Sequence, residues 1–208
     1  MSIRSRSPQV LAGLIASVAW TGLALQLDAS IALTGSAGAA ILVMLRYFTV
    51  ITNLALAAIL TGAASGRPAC RRPFLLGGMT LSILLVGIIY GLLLRGLFEL
   101  DGGAKVADTL LHKVTPVLAA LFWLACVPKG TLRRRDPLLW ALYPLAYLAF
   151  ALISGELDGF YPYPFINVAQ LGWARAGLNG AAIALGFILA GYAVLWLDTR
   201  LPRGRGTA

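Results

Sequence analysis

Apolar residues along the chain gather into blocks of about 20, the length at which a helix crosses the hydrocarbon core of a bilayer. Six such spans are predicted, over residues 8–27, 38–62, 74–94, 106–127, 137–153 and 172–197. Short polar joints separate them. The exception is the connection over 154–171, which is longer, aromatic and rich in turn formers. The first span competes with a cleaved signal peptide. Its apolar region exceeds a secretory core and contains Trp20, so a retained helix is expected. The third span carries Gly87 and Gly91 in a GxxxG, read as a packing feature that lets helix backbones approach.

Polar side chains interrupt this pattern in two places. Arg46, Thr49 and Asn53 fall at i, i+3 and i+7 inside the second span, which puts them on one helical face. Asp108, His112 and Thr115 form a second stripe in the fourth span. The two spans run in the same direction. Thr49 lies roughly 16 Å and His112 roughly 9 Å into them at 1.5 Å per residue, so both belong to one half of the bilayer. An ionisable residue at such depth points to function. Plainer roles stand beside this one. Threonine bonds back to the carbonyl at i−4, Arg46 and Lys113 snorkel to headgroups, and His112 bonds across to another helix. Asp108 either fixes the imidazole tautomer or faces headgroup water.

Composition turns the pattern into a class. The chain is 59% hydrophobic with 12% charged residues, about half the charge of a soluble domain, and its mean hydropathy is +0.83. An all-α integral membrane protein is expected, with residues 1–208 forming a single six-helix domain. The net charge of +9 would suggest nucleic acid in a soluble protein. Here twelve of the 17 basic residues sit in the tails and in two loops: Arg4 and Arg6; Arg67, Arg71 and Arg72; Lys129 and Arg133 to Arg135; Arg200, Arg203 and Arg205. That asymmetry puts both termini on the cytoplasmic side, and no nucleic-acid partner is expected. Cys70 and Cys126 do not make a disulfide framework. One histidine and scattered carboxylates make no zinc set. Neither a phosphate-cradling glycine loop nor a G-x-S-x-G elbow is present, so no cofactor is expected.

Three segments carry a family likeness: Arg46-Tyr47-Phe48-Thr49, Asp108 through Pro116, and Gly159-Phe160-Tyr161-Pro162-Tyr163-Pro164-Phe165. With the six spans, they make the chain resemble the androgen-induced and androgen-dependent TFPI-regulating proteins and their bacterial relatives. The animal members are threonine hydrolases that cleave fatty acid esters of hydroxy fatty acids. The resemblance implies Thr49 as nucleophile and His112 as its catalytic histidine, in a multi-pass protein of a bacterial inner membrane.

On that reading, His112 takes the threonine proton and Arg46 holds the carboxylate of a lipid ester substrate. Asn53 donates to the oxyanion or makes an interhelical hydrogen bond. Asp108, Tyr161, Tyr163 and Asn167 complete the supporting set, with the two tyrosines either capping the pocket or forming an aromatic belt. The alternative is a lipid-binding or transport protein that uses the same polar cavity without cleavage.

Overall fold

The computed structural model describes residues 7–97 and 99–202, and every regular element among them is helical. Arg4, Arg6, Arg203 and Arg205, used above for orientation, lie outside the described residues. Two compact units divide the chain, one up to Thr131 and the other over Leu132–Leu201.

The first unit opens with α1, Ser7–Thr34. This helix runs seven residues past the expected 8–27, through an Asp-Ala-Ser-Ile-Ala-Leu-Thr stretch that offers no breaker. It stops at Gly35, whose φ of 76° suits glycine. The expected second span is not one helix. It consists of α2, Ala37–Met44, and α3, Phe48–Ala64, bent by 95° across Leu45–Tyr47. Ser36 caps α2 by accepting from the Ala39 amide at 3.2 Å. A 3₁₀ turn over Pro68–Arg71 leads into α4, Pro73–Ile89, with proline at its first position. α4 ends in a π turn, Tyr90–Leu94, closed by the Arg95 amide on the Tyr90 carbonyl at 2.9 Å. Then come α5, Gly102–Thr109, a second π turn, Leu110–Val114, and α6, Thr115–Cys126. Among the described residues of both units, five helical stretches are long and apolar enough to cross a membrane, or six with the bent pair taken as one.

Inside this unit, α1 packs along α3, with Trp20 Nε1 donating to Thr61 Oγ1 at 3.1 Å. Ala19 and Leu23 of α1 join Met44, Val50, Ala57 and Leu111 in a buried cluster. That cluster ties together the helix bend and the second π turn. Lys129, expected in a solvated basic loop, is instead buried. Its ammonium binds the carbonyls of Trp123, Leu124 (3.4 Å) and Val127 (2.6 Å) and lies over the Trp123 ring. The last carbonyls of α6 lack intrahelical donors, and a cation there also favours the helix dipole.

The second unit is a helical hairpin of α7, Asp136–Asp158, and α8, Val168–Arg200. α7 ends at Gly159, in the left-handed region, and extends five residues beyond the expected 153. The Tyr161 ring lies so close to Gly155 that a Cβ there would come 2.3 Å from it. Its hydroxyl donates to Glu156 Oε1 at 2.5 Å. This bond, with desolvation and the carboxylate's charge, pushes the Tyr161 phenol up to about 12. Tyr163 stacks on Phe165 with ring centroids 5.2 Å apart. Asn167 caps α8 by accepting from the Gln170 amide at 3.2 Å, and Gly172 (φ 73°) breaks that helix after its first turn.

A raised phenol favours the folded hairpin below its ordinary value, near 10, and that contribution is lost as pH rises through about 12. Glu156→Gln should return one tyrosine to ionisation near 10 in a spectrophotometric difference titration. A titration identical to wild type would show that Glu156 does not hold Tyr161.

Candidate active site

The site starts from a proline. Pro116 has no amide hydrogen, and a proline ring in a helix crowds the carbonyl four residues back. The chain answers with the π turn over Leu110–Val114, in which the Thr115 amide reaches back to the Leu110 carbonyl. In that register the Leu111 carbonyl faces the nitrogen of Pro116, which cannot donate. Asn53 of α3 supplies the missing donor, with Nδ2 at 3.3 Å from Leu111 O and 2.9 Å from Thr49 O. Asn53 is fully buried. Both hydrogens of its amide are thereby committed to carbonyls. The structure gives Asn53 the interhelical bond weighed above and leaves no donor over for an oxyanion.

The bend before α3 relocates the other stripe. Tyr47 is the N-cap and Thr49 the second residue of α3. Arg46 lies in the bend and does not share a continuous helical face with Thr49 and Asn53. The expected i, i+3, i+7 stripe therefore holds only from Thr49 onward. Thr49 instead sits at a helix head, where the dipole favours negative charge. Thr115, expected on the His112 stripe, is fully buried, and its hydroxyl makes no hydrogen bond among the described residues.

The side chains that do converge come from three helical segments. Thr49 Oγ1 lies 3.2 Å from His112 Nε2. On the far side of the ring, His112 Nδ1 lies 3.0 Å from Asp108 Oδ1 and 3.1 Å from the Asp108 carbonyl. Both atoms facing Nδ1 are acceptors, so the proton belongs on Nδ1. Nε2 is then left with its lone pair toward the threonine hydroxyl. Thr49 is 7% exposed, while His112 and Asp108 keep side-chain exposures of 18% and 12%. The group is shielded but reachable. Lys113 Nζ stands 3.9 Å from Asp108 Oδ2.

One member was missed by sequence reasoning. Tyr90, at the start of the first π turn, donates its hydroxyl to Asp108 Oδ2 at 2.6 Å and stacks on the His112 ring at 4.3 Å. A signal was available. Tyr90 and Asp108 stand nine residues on either side of Glu99, so a hairpin turning there sets them level. Gly87, one turn below Tyr90, takes up the packing role assigned to the GxxxG. A Cβ on it would meet the His112 carbonyl at 3.1 Å and the Pro116 ring at 3.2 Å. Gly91 faces open space and contributes no such approach. Tyr161, Tyr163 and Asn167 belong to the second unit, with the partners given above.

No family model, curated protein or solved structure matches the chain. The chemistry available to this group must therefore be read from the geometry. A hydroxyl, an imidazole in the accepting tautomer and a carboxylate in line are the parts of an activated nucleophile.

Two substitutions test how the backbone holds the site. Gly87→Ala should cost about 1–3 kcal/mol, because the atoms it meets are a backbone carbonyl and a proline ring, neither of which can rotate away. Asn53→Ala should cost about 1–3 kcal/mol, because a buried carbonyl loses its donor. Thermal unfolding in detergent measures both. Wild-type midpoints would mean that the π turn does not depend on these contacts.

Proposed function

We propose that the chain is an intramembrane threonine hydrolase acting on lipid esters, with Thr49 as nucleophile and His112 as general base. The observation that carries this reading is the Asp108–His112–Thr49 alignment, with contacts of 3.0 and 3.2 Å. Threonine is a weak nucleophile until a base takes its proton. His112 Nε2 accepts that proton as Oγ1 forms a bond to the ester carbonyl carbon. The carbonyl electrons move onto oxygen, near the head of α3, where the helix dipole favours the developing charge. The tetrahedral centre collapses, the C–O bond to the alcohol breaks, and His112 returns the proton to the departing oxygen. Water then attacks the acyl-threonine with His112 again as base. The carboxylic acid leaves and the Thr49 hydroxyl is restored. Asp108 does not exchange its proton state. It orients the ring and balances the charge of the imidazolium.

The setting is part of the proposal. The apolar helices support a multi-pass membrane protein, and the basic loops support cytoplasmic termini; a bacterial inner membrane is what the resemblance implies. Thr49 and His112 then lie toward the outer leaflet, where lipid esters and water both have access. Arg46, in the bend beside the helix head, supports a preference for substrates bearing a free carboxylate.

An alkyl fluorophosphonate should label Thr49 in the purified protein, identified by mass spectrometry of the adduct. Thr49→Ala and His112→Ala should each abolish labelling and ester turnover, and the double variant should be little worse, because groups acting as a unit are non-additive. Lipid-ester turnover retained in Thr49→Ala would exclude the mechanism. Saturable lipid binding with no turnover of any ester by the wild type would favour the transport or binding alternative. A second test concerns orientation. A cysteine at Gly102 should react with an impermeant thiol reagent from outside intact cells, and one at Arg134 should not. The reverse pattern would place the site toward the cytoplasm.

A further inference from the structure

Tyr90 touches both the acid and the base of the site. Its hydroxyl holds Asp108 Oδ2 at 2.6 Å, and its ring lies over the imidazole with a centroid separation of 4.3 Å and an interplanar angle of 20°. We propose that Tyr90 is a positioning residue of this site, fixing through two separate contacts the carboxylate rotamer and the plane of the His112 ring. The proposal rests on the hydrolase reading for its consequence in rate, but the two contacts can be tested without it.

The two contacts remove different freedoms. A carboxylate at i−4 on the same helix reaches the imidazole in more than one rotamer. With Oδ2 occupied by the phenol, the free rotamer is the one that turns Oδ1 to Nδ1. The ring of a histidine also turns about its last torsion, which is broad and roughly two-fold. A flat surface stacked on one face confines it, and the confined plane carries Nε2 to within 3.2 Å of Thr49 Oγ1. When the imidazole takes up the threonine proton it becomes a cation against the face of an aromatic ring, an arrangement that is itself attractive. The stack therefore strengthens as the reaction proceeds, which is the requirement for lowering a barrier and not merely binding substrate.

Local structure puts Tyr90 in position. It opens the first π turn, and the second π turn carries His112. Single π turns recur at functional sites because they re-aim side chains by the width of one extra residue. Gly87, three residues before Tyr90, lets α4 approach the His112 backbone closely enough for ring-to-ring contact. Charged and titratable groups beside the imidazole include Asp108 and Lys113 of its own helical stretch and Tyr90 of the first π turn, and Arg95 acts on Tyr90 in turn. α3 brings no ionisable side chain and α1 brings only Asp28.

His112 is the only histidine in the chain, so the imidazole resonances of the full-length protein in lipid nanodiscs belong to it alone. The stacked Tyr90 ring should shift the imidazole ring protons upfield by its ring current. Tyr90→Phe should keep that shift, and Tyr90→Leu should lose it. Fluorophosphonate labelling of Thr49 reads the rate. Tyr90→Phe should slow the maximal labelling rate on the order of ten- to a hundredfold, with little change in the concentration for half-maximal rate. Wild-type labelling kinetics in Tyr90→Phe, or imidazole resonances unmoved in Tyr90→Leu, would overturn the proposal. Failure of the wild type to label at all would instead count against the hydrolase reading. In that event the histidine spectrum still decides whether Tyr90 holds the ring.

Discussion

One missing hydrogen organises the first unit. Without an amide proton at Pro116, the helix that carries His112 cannot keep its regular ladder, and a π turn forms just before the proline. The Leu111 carbonyl this leaves unmet is bonded by Asn53. Gly87 packs where the displaced His112 carbonyl would otherwise clash. Asn53 also holds the carbonyl of Thr49, so the residue that repairs one helix anchors the hydroxyl-bearing turn of another. The 3.2 Å approach of Thr49 to His112 is thus set by backbone accounting. Burying an unmet carbonyl costs more than a typical hydrogen bond contributes, which makes this arrangement hard to vary piecemeal.

The Asp108–His112 contact was legible from sequence, since i, i+4 residues on a helix are neighbours. So were the apolar spans, whose positions follow from block length, although their ends shifted by up to seven residues at α1. Two features were not legible. The bend at Leu45–Tyr47 contains no proline or glycine, so no local breaker announces it. Phe48, Val50 and Leu56 of α3 and Met44 of α2 are buried, and the bend lets both pieces bury apolar surface in one unit. Tertiary packing overrides propensity there. The π turn, by contrast, has its cause in the sequence at Pro116, but a proline after a threonine near a span's middle reads equally well as a kink. What decides between kink and π turn is whether partners exist for the freed carbonyls, and those partners lie about 60 residues away at Asn53.

The resemblance stated from three short segments has no match behind it, so the weight falls on geometry. That geometry treats the three segments differently. Arg46 through Thr49 becomes a helix bend with the threonine at the head of α3. Asp108 through Pro116 becomes the turn that carries the base. Gly159 through Phe165 becomes the loop of a second unit, where Tyr161 is engaged by Glu156 and Tyr163 stacks on Phe165. The first two segments account for the convergent chemistry, and the third has a local structural reason for each residue named.

The two interruptions also argue about solvent. In a hydrocarbon setting, non-helical backbone is tolerated only where protein buries it or where it lines a water-containing cavity. The bend at Leu45–Tyr47 is such a break, the π turn at Leu110–Val114 stays helical but shifts the hydrogen-bond ladder by one residue, and Thr49 and His112 meet between them. The proposed hydrolysis would need water to reach an acyl intermediate at this same point. The irregular backbone, costly anywhere else in the span, stands where a polar, water-reachable site would have to be.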